Sequence, residues 1–279
     1  MSAQLHLSTD ILNGWPASLP AGVTFAPAIS RFPDDRNVKP EELAHVWPAA
    51  PNDAWAQRIL SLVPADFTGL VMLDNEGPQT NALWAPLGKI VDPAKRKASV
   101  TALCHQLDAL KRARPRAAFG FYGVPSGGWY SPPMYAQTRR HAEELSELYR
   151  HLDVIMPSVY CTEDTPGHEG FAEFIMNMAS KISRKYGVPL APVVATRIYA
   201  NGDEKAVLIG ERVLKPWMKT IMKHRPEHLV YWHNEPWFVA NDERKKLKRH
   251  LTEEELGATR EQAKRNVAWA LRFFQGYTW

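Results

Sequence analysis

Cysteine is scarce. Cys104 and Cys161 are the only two in 279 residues, too few for a disulfide framework, and neither belongs to a CxxC pair suited to zinc or redox chemistry. No uninterrupted apolar run is long enough for a membrane-crossing helix. The start, Met1-Ser2-Ala3-Gln4-Leu5-His6, lacks a basic end and an apolar segment. The expectation is therefore a cytoplasmic protein, or one released by a non-classical route such as phage-driven lysis. A long block of one charge sign is also missing. The net charge is +4, and the densest basic stretch, Arg244 to His250, is followed closely by Glu253, Glu254 and Glu255. Alternating blocks of this kind read as a solvated helix face and argue against a nucleic-acid partner. GxGxxG, Walker and HExxH spacings are absent, so neither a nucleotide cofactor nor a metal is expected.

What is plentiful is apolar and aromatic. Hydrophobic residues make up 45% of the chain and charged ones 23%, a composition able to bury a large core. Trp at 10 and Pro at 22 are both high, and many fall at strand ends or in loops. Exposed indole rings suit the C–H faces of sugars, although tryptophan is equally at home in a core.

Short β-rich runs at 23–29, 69–76, 117–124, 153–160, 190–199 and 228–235 alternate with helical patterns at 40–62, 93–112, 135–151, 171–186 and 207–224. A last helix is predicted at 259–274, and the first 20 or so residues read as irregular. Strand–helix alternation implies a parallel sheet with right-handed crossovers. The length suits one (β/α) barrel, a TIM-like α/β fold, spanning 1–279 as a single catalytic domain. Six clear strands leave an open doubly wound sheet as the competing architecture, so a barrel here would be distorted, with fewer than eight regular strands.

In α/β barrels the carboxyl-terminal strand ends build the active site. Here those ends turn polar together. The run 69–76 closes on Asp74-Asn75-Glu76. Side chains two apart on a strand share a face, so the two carboxyl groups would enter one cavity with α-carbons ~6.5–7 Å apart. Like charges that close favour one protonated and one ionised group, the division that general acid catalysis needs. A structural role, as a helix cap or as partner to a buried arginine, is the alternative for either one. Tyr122, Tyr160, Tyr199 and Tyr231 recur near the ends of later runs, joined by Trp129, Arg197, Trp232, Glu235 and Trp237. Trp232 or Trp237 could floor a sugar site.

This ordered series resembles the hyaluronidases of glycoside hydrolase family 56: Asp-x-Glu closing an apolar strand, Gly-Phe-Tyr-Gly at 120–123, Met-Pro-Ser-Val-Tyr at 156–160, Thr196-Arg197, then a strand ending in Trp232. The likeness runs in short blocks from Gly69 to Trp237. It implies a distorted barrel that cleaves polysaccharide. Glu76 would be the proton donor, and Asp74 would steer the substrate's N-acetyl group, whose oxygen attacks the anomeric carbon. Tyr122 and Tyr160 match pocket tyrosines and Trp232 the pocket floor, while Arg197, Tyr199, Glu235 and Trp129 complete the candidate binding set. Three departures stand out. Gly77-Pro78-Gln79 replaces a tryptophan-containing run, the family's disulfides are missing, and only one strand has room before Asp-x-Glu.

Other readings compete. Asn234-Glu235-Pro236 also resembles the acid/base motif of retaining barrel glycosidases, which would pair Glu76 with Glu235 about 5–5.5 Å apart. His233, Glu235, Asp74, Glu76 and Asp203 could supply metal ligands. A non-catalytic barrel that only binds carbohydrate is possible too, because fold does not fix function. The expected partner is a polysaccharide or oligosaccharide; the oligomeric state is not legible.

Overall fold

The structure, a computed structural model, describes residues 3–9, 16–29, 53–74, 83, 92–125, 135–161, 169–198 and 207–277. Their strands are β1 (Gln4–Ser8), β2 (Val23–Phe25), β3 (Ala28–Ile29), β4 (Leu70–Leu73), β5 (Ala118–Phe121), β6 (Val193–Val194), β7 (Arg197–Ile198), β8 (Val207–Leu208) and β9 (His228–Trp232). The helices are α1 (Asp53–Leu62), α2 (Pro93–Ala113), α3 (Tyr135–Glu143), α4 (Ser146–His151), α5 (Gly170–Tyr186), α6 (Glu211–Met222), α7 (Glu235–Leu247) and α8 (Glu253–Gln275). No described helix is long and apolar enough to cross a membrane.

Two parallel sheets, ordered β2-β1-β9-β6 and β3-β4-β5, form most of the framework. Backbone hydrogen bonds join them into a ring. On one side β2 runs on into β3 through Pro27: Ala26 N–H donates to Leu7 and Ala28 N–H to Thr9, while Met72 N–H donates to Pro27. On the other side the segment 153–160 bridges β5 and β6, through Tyr122↔Met156, Ile155↔Leu190 and Ser158↔Val193. The fold is thus a distorted (β/α) barrel with short, broken strands. Proline explains the breaks. Pro27, Pro157 and Pro192 each accept a hydrogen bond from a neighbouring strand, but none has an N–H to return, so no continuous ladder can pass through them.

Where structure and expectation differ, the reasons are local. Part of the first segment is regular: β1 lies between β2 and β9 and pairs in parallel with both. The expectation of only one strand before Asp-x-Glu falls with it. Its alternation hid it, because Leu5 and Leu7 belong to the helix-facing core while the buried alternate positions are the polar His6 and Ser8. The helix expected from 207 begins instead at Glu211, after Val207–Leu208 pairs antiparallel with β7. The helix expected at 135–151 is divided into α3 and α4. Of the helix expected at 40–62, residues 40–52 lie outside the described set.

Strand parity sorts the core into two. Ala26, Ala28, Leu70, Met72, Val154, Met156, Val193 and Val230 cluster inside the ring. Val71, Leu73, Phe119, Phe121, Ile155 and Tyr231 belong to the outer cluster with helix residues such as Leu107, Ile175, Met218 and Phe274. Gly120 sets the spacing between β5 and the next segment. A Cβ there would come within 2.7 Å of both the side chain and the carbonyl oxygen of Val154, and that backbone oxygen cannot turn aside.

The ring interior also holds a polar group. His6 Nε2 lies 3.0 Å from His228 Nδ1, and Thr24 Oγ1 lies 2.7 Å from His6 Nδ1. Burial, then the charge of His228, drives His6 down to about 3, and burial lowers His228 as well. A histidine held neutral by the fold contributes stability above its unfolded pKa of about 6.5, and that contribution is lost as pH falls toward the folded value. We therefore expect the melting temperature to drop between about pH 6.5 and 5, above the range where ordinary carboxylates titrate, and His6→Gln to flatten that slope. An unchanged slope in His6→Gln would contradict this assignment. Gly120→Ala is expected to cost about 1–3 kcal/mol in denaturant unfolding, the usual range for overpacking.

Candidate active site

All strands of the ring are parallel, so their carboxyl ends meet at one mouth. Asp74 follows β4 immediately. Its N–H donates to Ile29 O at 3.1 Å, which continues the β3–β4 pairing by one residue. Met72 belongs to the inner cluster, and a step of two keeps Asp74 on that same face. The β4–β5 register pairs Leu73 with Phe121, so Asp74 stands level with Tyr122 on the adjacent strand, with backbones ~4.8 Å apart. Asp74 is half-buried.

From Asp74 an aromatic wall runs round the mouth. Tyr122 and Ser158 share a hydrogen bond, Oη to Oγ at 2.9 Å. The Tyr122 ring lies 5.8 Å from that of Tyr160, and the Tyr160 ring lies 6.2 Å from Trp232 at an interplanar angle of 26°. Ser8 is opposite Trp232 in the β1–β9 register. The segment that carries Ser158 and Tyr160 is positioned from behind. Trp217 on α6 donates its indole N–H to Val159 O at 2.9 Å, tying the helix to the residue before Tyr160. Asp153 accepts from Phe119 N–H at 3.1 Å and Lys111 reaches its carboxylate at 2.8 Å, fixing the start of that segment against β5.

The expected site residues divide three ways. Asp74, Tyr122, Tyr160 and Trp232 come together at the mouth. Glu76, Trp129 and Tyr199 lie outside the described residues. Arg197 and Glu235 form a buried ion pair: Arg197 Nε reaches Glu235 Oε1 at 2.6 Å and Nη2 reaches Oε2 at 2.8 Å. Arg197 also meets Asp242 at 3.2 Å, and Asn266 on α8 donates to Glu235 Oε2 at 2.7 Å. Burial weakens the Arg197 charge, but the hydrogen bonds and charges of Glu235 and Asp242 outweigh that and raise its pKa. With the Glu235 side chain 1% exposed and both oxygens engaged, this pair is a strut that fastens α7 and α8 to the barrel. The geometry gives neither residue a surface for substrate, and it argues against Glu235 as a nucleophile.

Two mouth residues escaped the sequence reading. Ser158 stands two places before Tyr160, so parity alone would have put it on the same face; a serine between apolar residues gave no other signal. Ser8 was lost with β1. His233, once a candidate metal ligand, takes a backbone hydrogen bond from Glu235 N–H at Nδ1, and burial lowers its pKa to about 4. It is a neutral imidazole at physiological pH. Among the described residues no group of three or more His, Cys, Asp or Glu is placed to hold a metal ion.

Removing one partner of a buried ion pair strands the other's charge. Arg197→Met is expected to destabilise the fold by ~3–5 kcal/mol, measured by urea unfolding. Combining it with Glu235→Leu should restore part of that loss, whereas strict additivity would contradict a coupled pair.

No protein-family model matches the chain, and no curated protein matches it. Solved structures do. Bee venom hyaluronidase aligns with a TM-score of 0.54 and 18% identity, covering 66% of this chain and 69% of that one. The same enzyme in complex with a hyaluronic acid tetramer aligns at 0.51 and 18%, covering 66% and 65%. An endo-β-1,4-mannanase of Cellulomonas fimi aligns at 0.44 with 11% identity, over 75% of this chain and 49% of that one. The remote resemblance to hyaluronidases is therefore present in three dimensions, and what it establishes is the fold, a distorted (β/α) barrel.

Proposed function

We propose that this chain is a glycoside hydrolase that cleaves a glycan containing N-acetylhexosamine by substrate-assisted catalysis with retention of configuration. One observation carries the reading: Asp74 stands on the inner face at the barrel mouth, level with Tyr122, and the Tyr122–Ser158–Tyr160–Trp232 wall continues from it. Flat rings offer apolar faces to sugar C–H groups, while hydroxyl and carboxylate groups beside them fix orientation. The bee venom enzyme, solved with a hyaluronic acid tetramer, supports an oligosaccharide partner.

In this mechanism the substrate's own acetamido oxygen attacks the anomeric carbon as the bond to the leaving oxygen breaks. Glu76 donates its proton to that leaving oxygen. Asp74 accepts the acetamido N–H, holding the group in line and balancing the positive charge that develops on it. Water then opens the cyclic intermediate and gives its proton to Glu76, which restores the acid. No protein nucleophile is needed, so the spacing rule for paired carboxylates does not apply. Tyr122, its hydroxyl anchored on Ser158, would steady the acetamido group; Tyr160 and Trp232 would carry the sugar.

A reducing-end assay over hyaluronan, chondroitin, chitin and related polysaccharides tests the proposal. Wild-type protein should release new ends from at least one of them, and Glu76→Gln should lose ~10²–10⁴-fold of that rate, the usual worth of a general acid. Asp74→Asn should fall sharply as well, with KM changing less than kcat. No release from any polymer would overturn the reading in favour of a carbohydrate-binding barrel, and full activity in Glu76→Gln would overturn the assigned acid.

A further inference from the structure

The ion-pair strut has a consequence beyond stability. It fixes the first turn of α7, and that turn carries Trp237, which at 46% is the most exposed of the described large apolar side chains. The indole packs against its neighbour in sequence. Its ring meets Phe238 edge-on, with centroids 5.1 Å apart and an interplanar angle of 78°. Phe238 is buried, and the Arg197 guanidinium sits 5.1 Å over its ring. Arg197 is in turn held by Glu235, two residues before Trp237. A chain of packed, ion-paired groups thus presents one large flat ring to water.

Its place matters as much as its exposure. Trp237 follows Trp232 by five residues, so the two α-carbons are at most ~18 Å apart. Because α7 begins where β9 ends, Trp237 belongs to the mouth end of the barrel. A solvent-facing aromatic forfeits burial of apolar area, but a rigid one binds with little further loss of side-chain entropy.

Taking the mouth to be a glycan-cleaving site, we propose that Trp237 is an outer sugar platform. It stacks on the C–H face of a pyranose unit of the same polysaccharide, outside the pocket that holds the cleaved bond. The contact needs no charge, so it serves acidic and neutral sugars alike. It gives the protein a preference for long chains over short ones.

The test compares wild type, Trp237→Ala and Trp237→Tyr on tetrasaccharides and on the parent polymers of hyaluronan and chitin, after thermal melts show the variants folded. On the polymer that wild type cleaves, Trp237→Ala should raise KM about tenfold relative to its effect on the matching tetrasaccharide, the scale of losing a tryptophan contact in a binding interface. kcat should move little, and Trp237→Tyr should recover most of the loss. An equal change in KM for short and long chains would overturn the platform. Affinity electrophoresis through gels containing each polymer separates this from the parent reading. If wild type binds but does not cleave, the catalytic assignment fails, yet Trp237→Ala should still migrate faster. If Trp237→Ala migrates as wild type does, or if wild type itself is not retarded, the platform fails.

Discussion

Closure of the backbone hydrogen-bond ring is what makes a site out of scattered residues. The strands are short and several are interrupted by proline, so no single ladder could hold the framework. The connections at Pro27 and along 153–160 carry the pairing from one sheet to the other. Because every member of the ring runs in the same direction, its carboxyl ends converge, and Asp74, Tyr122, Tyr160 and Trp232 become neighbours although 158 positions separate the first from the last. Gly120 shows how narrow the tolerances are: one methyl group on it would meet the backbone of the next segment.

Inside the ring, polarity changes from bottom to top. Lower down lie the neutral His6–His228 pair and an apolar layer of Leu70, Met72, Met156 and Val230. Above them come a half-buried carboxylate and the aromatic wall. An apolar floor excludes water from beneath the site and strengthens the electrostatic effect of whatever lies above it. Outside the ring, charge is used differently. Arg197, Glu235, Asp242 and Asn266 bind two helices to the barrel, and Arg197 stacks on Phe238, which the exposed Trp237 indole meets edge-on.

Much of this was legible in the sequence where periodicity and parity speak directly. Alternation gave the parallel barrel, and counting by two from the apolar part of the strand placed Asp74 on the inner face. The order of the strand-end motifs carried a resemblance that the fold bears out. Legibility failed where burial and polarity part company. β1 was invisible because a barrel interior can bury His6 and Ser8. In the sequence Arg197 and Glu235 look like substrate contacts, because a charged residue at a strand end looks functional; their pairing depends on a contact 38 residues apart in sequence, which no local pattern reveals. Glu76, Trp129 and Tyr199 lie outside the described residues, and the roles given to them rest on the sequence.

Under the proposed function, the inner-face carboxylate of Asp74 orients a sugar that rests on the tyrosine–tryptophan wall. The decisive experiment is a crystal structure of the Glu76→Gln protein with a bound N-acetylhexosamine tetrasaccharide. A pyranose ring is expected against Tyr160 and Trp232, with its acetamido N–H donating to the Asp74 carboxylate. A sugar bound elsewhere, or an Asp74 carboxylate turned away from the acetamido group, would contradict it.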